Sequence, residues 1–466
     1  MFVQQLYTNC LAEAAYYIES NGEAAIVDPI REIEPYIELA KSRGASIKYV
    51  FETHFHADFV SGHIDLAKQT GATIVFGPLA DTNYKVHHST DGEEFKIGDL
   101  TIRTLHTPGH TPESSCFLLL DKSFQEYCVF TGDTLFVGDV GRPDLLDGKM
   151  TSRELAAMLF DSLNNKIKTL PDEVLVYPAH GAGSSCGKNI GKETWSTIGE
   201  QKKTNYALRN LSKEDFILAV TEGLTAPPAY FFEDARINKE GYDSINNVMK
   251  KNMLPLSLEA FQAAVKEGAQ ILDTRTSDIF ESGFIKNSIN IGLDGMFAIW
   301  VGTVLDIKKR LVIISENGKE EESILRPARV GFENIAGYLK GGFETWKNSG
   351  LSFETITSID PKDLAAKVKV GAHVLDVRKI SETESGHVKN ATIIPLGELV
   401  KNHGALDKTE TIYVHCAGGY RSMIASSILK ANGFQNIVNV RNGWSKIKET
   451  DIPISTGLPE NIVTEK

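Results

Sequence analysis

The amino-acid sequence predicts an α/β protein built from one larger amino-terminal domain and two similar smaller domains. Strand-like apolar runs alternate with amphipathic helices as far as His180, which favours sheets covered by helices. Residues 225–232, which include two adjacent prolines, interrupt this alternation. Sequence segments then recur at a spacing of about 100 residues, a normal size for one domain. We therefore expect domains at residues 1–235, 255–352 and 358–460, with a polar connector between the first two.

The internal repeat defines the two smaller domains. Leu272-Asp273-Thr274-Arg275 in the first copy corresponds to Leu375-Asp376-Val377-Arg378 in the second. Two further pairs of segments match at a similar spacing, namely 281–287 with 384–390 and 331–335 with 433–437. Three matches in the same order indicate a tandem duplication of one α/β domain.

The composition limits the class of protein and its partners. The chain has 466 residues, of which 42% are hydrophobic and 24% charged, as in ordinary globular proteins. Its formal net charge of -12 argues against nucleic acid or an anionic membrane as a partner. No apolar run is long enough to cross a bilayer, and residues 1–6 lack the basic start of a signal peptide. Five cysteines without a C-x-x-C pair favour a reducing cytoplasm.

A cluster of metal-binding residue types lies between a strand and a helix in the first domain. His54, His56 and Asp58 follow the apolar run 47–51 at alternate positions, so their side chains are able to converge on one point. Imidazole and carboxylate groups suit zinc, iron or manganese. The absence of cysteine from the cluster argues against a closed structural zinc site. This pattern predicts a metal centre at the end of the strand.

Three further segments supply partners for this cluster. His110 lies in LHTPGHTP, Asp133 in VFTGDTLF and His180 in YPAHG, and each segment ends a strand-like run. Together with the H-x-H-x-D pattern, these segments resemble the metallo-β-lactamase superfamily, whose members bind one or two metals. The resemblance covers roughly the first half of the chain. It implies a four-layer αβ/βα sandwich, followed by the two repeated α/β domains.

Phe59 is the main departure from the two-metal members of that superfamily. Hydroxyacylglutathione hydrolases have a histidine here that helps to hold the second metal, and a phenyl ring has no ligand atom. The segment HFHADFVSGH is similar to the persulfide dioxygenases, the mononuclear iron branch. That resemblance implies one Fe²⁺ per chain, with iron ligands His54, His110 and Asp133. It also implies that three further groups orient ligands and water, namely His56, Asp58 and His180.

Two other residues near these segments leave alternatives open. Cys186 lies in the small-residue loop that follows His180, and it is either a packing residue or a participant in the chemistry. Arg142 follows the Asp133 segment, where it either meets a substrate carboxylate or has a purely structural role. The sequence does not decide between these alternatives.

The last copy contains a second reactive motif. Cys416 follows the apolar run 412–415 and begins the loop CAGGYRS, which opens a helix. Backbone amides at a helix start, together with Arg421, stabilise a thiolate. The loop resembles that of the rhodanese sulfurtransferases, in which four residues separate the cysteine from the arginine. This resemblance implies that Cys416 carries sulfur as a persulfide, with Arg421 and the sulfur-binding loop residues Ala417, Gly418, Gly419 and Tyr420 around it.

The first copy lacks this chemistry. After the equivalent run 312–315 the chain continues with Glu316 and an acidic stretch, and no cysteine lies between Cys186 and Cys416. We expect Glu316 to stand near the lost cysteine, and the copy to be an inactive rhodanese with a scaffolding or docking role.

The two resemblances together imply a persulfide dioxygenase fused to a sulfurtransferase that detoxifies sulfide in the cytoplasm. Dioxygen and the persulfide of a small thiol give sulfite at the iron, and Cys416 then converts sulfite and persulfide to thiosulfate. The carrier thiol stays open, and the resemblance allows a homo-oligomer. Two alternatives are a thioester hydrolase of the hydroxyacylglutathione type fused to a sulfurtransferase and a sulfur-responsive binding protein.

Overall fold

The computed structural model describes residues 1–145, 150–224 and 226–463 of the chain. They form two compact units, of which the first is Met1–Val248 with Ala328–Gly331. The second unit is Met249–Pro327 and the chain from Phe332 onward. Thr225, the first residue of the predicted break, lies outside the described residues.

The first unit begins with a six-stranded sheet whose strands follow one another in chain order. Strands β1 to β4 pair in this order, antiparallel up to β3 and parallel from there on. The parallel pairing continues through β5 to β6. The strands are β1 Phe2–Thr8, β2 Glu13–Ser20, β3 Glu23–Val27, β4 Ser46–Glu52, β5 Thr73–Phe76 and β6 His87–His88.

A second six-stranded sheet follows in the same unit. Its strands are β7 Glu94–Ile97, β8 Leu100–His106, β9 Ser115–Leu120, β10 Glu126–Gly132, β11 Leu175–Pro178 and β12 Ser196–Thr197. All neighbouring strands are antiparallel except β10 and β11, which run parallel. Parallel strands end at the same edge, so the residues after β10 and β11 are neighbours.

The two sheets pack face to face, and helices cover their outer faces. Phe51 and Val75 of the first sheet share one core with Phe117 and Phe130 of the second. Helices α1 and α2 contact β4, and α3 and α5 pack on the second sheet through a separate core. The helices are α1 Glu34–Ser42, α2 His63–Thr70, α3 Ser152–Ser162, α4 Ile198–Thr204, α5 Lys213–Thr221, α6 Tyr230–Glu240 and α7 Ile245–Asn252. This arrangement confirms the predicted αβ/βα sandwich.

Two helices, α6 and α7, occupy the segment predicted as a polar connector. Helix α6 buries Tyr230, Phe231, Asp234 and Asn238, which share one side because three of them recur every four residues. Two of these four side chains are polar, so the buried stripe has no apolar signature in the sequence. Within the described part of the chain, no helix combines the length and apolar character needed to cross a bilayer.

The second unit contains both repeated domains, each around a parallel five-stranded sheet. The first sheet has the order β13-β17-β16-β14-β15. Its strands are β13 Pro255–Leu256, β14 Gln270–Asp273, β15 Ser288–Asn290, β16 Leu311–Ile314 and β17 Ile335–Leu339. Its helices are α8 Leu258–Lys266, α9 Ser277–Ser282, α10 Phe297–Val304, α11 Glu320–Ala328 and α12 Gly342–Asn348.

The second copy repeats this topology with the order β18-β23-β22-β19-β21, and β20 pairs separately with β24. Its strands are β18 Thr357–Ile359, β19 His373–Asp376, β20 His387–Val388, β21 Thr392–Ile393, β22 Ile412–His415, β23 Ile437–Val440 and β24 Ile454–Ser455. Its helices are α13 Pro361–Val368, α14 Ile380–Glu384, α15 Leu396–Asn402, α16 Tyr420–Ala431 and α17 Gly443–Ile447. The shared strand order confirms the duplication of one α/β domain.

Candidate functional site

Three of the predicted metal-binding residues lie together at the carboxyl ends of the strands in the first unit. His54 follows β4, Asp133 follows β10, and His110 lies in the loop between β8 and β9. His54 Nε2 is 3.8 Å and His110 Nε2 is 3.3 Å from Asp133 Oδ2. All three side chains are buried, and their ligand atoms lie within 4.8 Å of one another.

The hydrogen bonds of the two histidines leave their Nε2 atoms directed at this point. His110 Nδ1 donates to the Arg142 carbonyl at 2.8 Å. The Thr53 hydroxyl donates to Asp28, so it accepts from His54 Nδ1 at 3.0 Å. Both rings therefore turn Nε2, and not Nδ1, toward this point, and among the described residues the two Nε2 atoms have no hydrogen-bond partner.

The chemistry of these donors fits a divalent transition metal. Burial, together with the neighbouring histidines, lowers the pKa of His54 well below its usual value of 6.5, which keeps the ring neutral. Among the described residues, neither oxygen of Asp133 has a hydrogen-bond partner. Buried polar atoms without partners are rare in folded proteins and call for an explanation. Two imidazoles and one carboxylate form the facial donor set that suits iron(II), zinc and manganese.

The other three predicted residues form a second group beside the first. Donor atoms of His56, Asp58 and His180 also lie within 4.8 Å of one another. Burial works to lower the pKa of His180, but the carboxylates of Asp58 and Asp133 raise it well above 6.5. His180 Nε2 lies 3.3 Å from Asp58 Oδ2 and 3.5 Å from Asp133 Oδ1. His180 therefore connects the two groups.

His56 also faces a further pair of carboxylates. Its Nε2 lies 3.1 Å from Asp28 Oδ1 and 3.7 Å from Glu52 Oε2, both buried. The Phe59 ring stacks against the His56 ring with 4.3 Å between centroids, and it meets the His180 ring edge-on at 6.5 Å. Phe59 therefore fills space between two donors of the second group, although the other donors of that group are still present.

Cys186 and Arg142 lie close to the centre, with different environments. The Cys186 thiol is buried, and its sulfur lies within 4.8 Å of ligand atoms of Asp133 and His180. Burial and the carboxylates of Asp58 and Asp133 raise the pKa of this thiol well above its usual range, so it is protonated in the metal-free protein. The Arg142 guanidinium is 2.6 and 2.7 Å from the two carboxylate oxygens of Asp144. Its charge is therefore engaged within the fold.

Asn238 is a residue of the site that the sequence analysis missed. Its amide Nδ2 donates to the carbonyls of His56 and Phe59, each at 2.8 Å, and its Oδ1 accepts from the amide of Ser61 at 2.9 Å. These three bonds hold the loop that carries the second group against helix α6. Only a helical assignment of the connector would have placed Asn238 near this loop.

A cleft of about 580 Å³ adjoins the metal-binding loop. Phe55, Ala57 and Thr111 contribute to its walls, and each is next to a predicted site residue in the sequence. Phe232 and Arg236 of α6 also line this cleft. A largely apolar cleft of this size suits a small organic ligand.

Cys416 lies at the end of β22 in the second unit, at the start of the predicted loop. The amide of Gly419 donates to Cys416 Sγ at 3.1 Å, and Gly419 has a φ of 110°, which favours glycine. The two terminal nitrogens of Arg421 donate to the two carboxylate oxygens of Glu382 at 2.7 and 2.8 Å. The sequence analysis did not identify Glu382, which holds Arg421 beside the loop.

The silent copy has Ser315, not Glu316, at the position of Cys416. Strand pairing sets Asp273 opposite Ile314 and Asp376 opposite His415, so the next residues are Ser315 and Cys416. The expectation of Glu316 at the site of the lost cysteine is therefore wrong by one residue. This error of one residue arises because strand β16 ends at Ile314 and not at Ser315.

Comparisons with known proteins agree with both halves of this description. The model of the metallo-beta-lactamase superfamily matches residues 8–180, and the rhodanese-like domain model matches residues 257–349 and 360–450. A human protein named persulfide dioxygenase ETHE1, mitochondrial, is 34% identical over 42% of this chain and 70% of its own length. A probable hydroxyacylglutathione hydrolase of Schizosaccharomyces pombe is 34% identical over 35% of this chain and 60% of its own length.

A solved structure extends the match beyond the first unit. A crystal structure titled metallo-beta-lactamase from Staphylococcus aureus is 31% identical, with a TM-score of 0.65, and covers 73% of this chain and 99% of that chain. The chain therefore belongs to the metallo-beta-lactamase superfamily, with persulfide dioxygenase ETHE1 among its homologues, and carries two rhodanese-like domains in its carboxyl-terminal half.

Proposed function

We propose that the chain is an iron-dependent persulfide dioxygenase joined to a thiosulfate-forming sulfurtransferase, and that it detoxifies sulfide in the cytoplasm. The main support is the buried donor set of His54, His110 and Asp133 in a domain homologous to a named persulfide dioxygenase. His54, His110 and Asp133 would hold one Fe²⁺ per chain, and this ion would supply the redox chemistry for the reaction of the persulfide sulfur with dioxygen. The overall reaction is RSSH + O₂ + H₂O → RSH + SO₃²⁻ + 2H⁺.

The residues around the donor set prepare the site for this reaction. The Arg142 carbonyl and the Thr53 hydroxyl hold the two histidine rings in one orientation. Asp58 and His180 form a buried pair beside the centre that is able to bind water or move a proton. The adjoining cleft provides room for the carrier thiol.

The sulfurtransferase step takes place at Cys416. Its thiolate attacks the outer sulfur of RSSH, a sulfur–sulfur bond forms on Cys416, and RS⁻ leaves. Sulfite then attacks the terminal sulfur of the Cys416 persulfide, which releases thiosulfate and returns the cysteine. The amide of Gly419 donates to the Cys416 sulfur, and the Arg421–Glu382 pair stands beside the loop that would hold the persulfide anion. Because both sites belong to one chain, tethering raises the effective concentration of one site near the other.

The dioxygenase assignment is tested by removing the candidate ligands. His110→Ala and Asp133→Ala should each reduce oxygen uptake with glutathione persulfide to background and lower the iron content well below one per chain. Sulfur transfer by Cys416 should persist, because it resides in the other compact unit. His88→Ala removes an exposed histidine from the same unit and should leave both activities unchanged. Normal oxygen uptake in either ligand variant would contradict the assignment.

The coupling of the two reactions is tested by their products. With excess persulfide and oxygen, the intact chain should accumulate thiosulfate, whereas Cys416→Ser should consume oxygen and accumulate sulfite. Ion chromatography separates the two anions. Equal sulfite-to-thiosulfate ratios from the two proteins, after subtraction of the uncatalysed reaction, would show that Cys416 does not use the product of the metal site.

A thioester hydrolase of the hydroxyacylglutathione type is the second candidate function. Two observations favour it, namely the Schizosaccharomyces pombe relative and the donors of His56, Asp58 and His180, which are still present beside Phe59. Elemental analysis and an oxygen electrode distinguish the candidates. Two tightly held metals per chain, with hydrolysis of S-lactoylglutathione and no oxygen uptake, would establish the hydrolase instead.

A further inference from the structure

Three separate segments of the chain hold the end of the metal-binding loop between β4 and α2. This loop forms neither a helix nor a strand, so bonds to other segments fix its position. Its last three residues each donate their backbone N–H to a different partner, namely Val60 to the Arg329 carbonyl at 2.7 Å, Ser61 to Asn238 Oδ1 at 2.9 Å and Gly62 to the Pro29 carbonyl at 2.8 Å. The partner of Val60 is the unexpected one, because it comes from the far end of the silent copy's helix α11.

The segment that includes this partner is fixed inside the first compact unit. Ala328–Gly331 comprise the end of α11 and the turn after it, and they belong to the first unit. The fully buried Arg31 guanidinium donates to the Ala328 carbonyl at 2.8 Å and to the Asp243 carbonyl at 2.9 Å. The carbonyl at the helix end thereby gains an acceptor role that the helix itself does not provide.

Arg329 anchors the same segment through its side chain. Its Nε donates to Glu32 Oε1 at 2.7 Å, and its Nη1 is 2.9 Å from Cys10 Sγ. The two side chains of the ion pair are only 16% and 15% exposed, so water screens the pair less than it screens a surface pair. Pro29, which accepts from Gly62, lies just before Glu32 in the chain. One short segment after β3 therefore holds both the loop and the segment from the silent copy.

The position of Val60 bears on the candidate metal centre. Val60 is fully buried and directly follows Phe59, whose ring stacks on the His56 ring with 4.3 Å between centroids. His56 belongs to the second donor group. A shift of Val60 would therefore move the Phe59 ring relative to these donors, and small displacements of positioned groups have large effects on reaction rates.

We propose that Ala328–Gly331 form a clamp that positions the metal-binding loop, and that Arg329 is the anchoring residue of this clamp. Arg329 is a positioning residue, because it acts on the centre through its bond to Val60. The silent copy thereby has a role that needs no cysteine, namely to contribute this segment to the first unit. The inference goes beyond the proposed function, since the clamp would serve a dioxygenase or a hydrolase equally.

Hydrogen exchange of the Val60 amide in the full-length chain tests the clamp. Mass spectrometry with fragmentation that resolves single amides measures its rate. Arg329→Ala should raise this rate about tenfold, because the carbonyl that accepts from Val60 loses its anchor. Exchange in the core strand β9 should stay within about twofold of the parent, which distinguishes local release of the loop from general destabilisation of the unit.

Three further variants sharpen the experiment. Glu32→Gln keeps the shape of the partner and removes its charge, so Val60 exchange should rise about threefold, and this variant carries the test if Arg329→Ala does not fold. Arg329→Lys keeps a positive charge opposite Glu32 and should raise the rate less than Arg329→Ala does. Arg103→Ala is the matched control, because it removes an arginine–glutamate pair, with Glu94, elsewhere in the same unit. It should leave Val60 exchange unchanged.

Catalysis by the iron-loaded protein gives a second measurement. Arg329→Ala should lower kcat for oxygen uptake about tenfold and leave the iron content close to that of the parent, because the clamped end of the loop does not include the ligand His54. If the parent takes up no oxygen, the proposed function fails, and the exchange rates still decide the clamp.

Two results would overturn the proposal. The first is Val60 exchange that stays within about twofold of the parent in both Arg329→Ala and Glu32→Gln. The second is an equal rise in exchange at Val60 and in β9, which would show that Arg329 supports the whole unit and does not specifically position the loop.

Discussion

The two rhodanese-like copies have the same framework and differ in the residues that handle sulfur. In each copy a buried arginine bonds the aspartate two positions before it and a carbonyl eight positions after it, namely Arg275 with Asp273 and Gly283, and Arg378 with Asp376 and Gly386. Each guanidinium also stacks on an aromatic ring, Phe343 or Trp444. These contacts stabilise the fold and were retained in both copies.

The reactive loop differs at the cysteine and at the arginine, although Gly419 has a counterpart in Gly318. Aligned from the strand end, Cys416 corresponds to Ser315, and Arg421 to Glu320. The residue that pairs with Arg421 is Glu382, and its counterpart is Ile279. The arginine and its carboxylate partner were therefore lost together, while the framework bonds were not. The framework contacts of the buried arginines therefore serve folding, whereas the cysteine and the Arg421–Glu382 pair serve sulfur transfer.

The largest expected effect is the loss of the nucleophile. Cys416→Ser converts the active position to the residue of the silent copy. Thiosulfate–cyanide sulfur transfer should fall by about three orders of magnitude or more, because a serine hydroxyl is a poor nucleophile without a base. Colorimetric detection of thiocyanate measures the change. Substantial remaining transfer would mean that another cysteine carries sulfur.

The reverse exchange should not restore activity. Ser315→Cys, in the Cys416→Ser background, should transfer sulfur only at background level, since Glu320 stands where the active loop has Arg421 and would repel a persulfide anion. Adding Glu320→Arg and Ile279→Glu to this variant is the sharper form of the experiment. Strong activity from the cysteine alone would show that the arginine pair is dispensable.

Arg421→Lys tests the arginine pair directly. Lysine keeps the charge but has no second parallel nitrogen for Glu382, so one charge-assisted hydrogen bond is lost. A loss of roughly 1.5 kcal/mol predicts about a tenfold lower kcat/KM for sulfur transfer. Arg153→Lys is the control, because Arg153 pairs with Glu214 in the first compact unit. Equal kinetics for both variants would contradict a role for the pair.

A smaller effect should come from the contact between the copies. The Tyr420 hydroxyl donates to the carbonyl of Gly292 in the silent copy at 2.8 Å, which is consistent with the predicted scaffolding role of that copy. Tyr420→Phe should cost about 1 kcal/mol of unfolding free energy and reduce sulfur transfer a few-fold. Chemical denaturation and initial rates measure the two changes. If Tyr420→Phe changed neither the unfolding free energy nor the rate of sulfur transfer, this support for a scaffolding role would be removed.

The smallest effect concerns pH. His415, whose counterpart is Ile314, has a pKa below 6.5 because burial and Arg378 outweigh the opposite effect of Asp376. His415 binds a proton more readily in the unfolded chain than in the folded protein. Its contribution to the stability of the fold is therefore full above pH 6.5 and declines as the pH falls below this value. Thermal unfolding across about pH 5 to 8 should show this decline, and His415→Ile should reduce it. If His415→Ile had the same pH dependence of stability as the parent, the assignment of the decline to His415 would be contradicted.

The sequence by itself determined the two fold types, the duplication and the candidate reactive residues. These features follow from local patterns, because apolar periodicity specifies strands and helices, and closely spaced histidine, aspartate and cysteine residues mark the ends of strands. Such patterns marked His54, His110, Asp133 and Cys416 as candidates, and the resemblance to known families implied their roles as iron ligands and sulfur carrier.

Only the tertiary structure decided which residues support those groups. Asn238 and Glu382 act across large separations in the chain, and their polar side chains carry no periodic signal. Ser315 was assigned by strand register, which depends on pairing with β14 and not on the local sequence. The physical reason is that a hydrogen bond between distant segments is determined by packing, whereas a strand end is determined by its neighbours in the sequence.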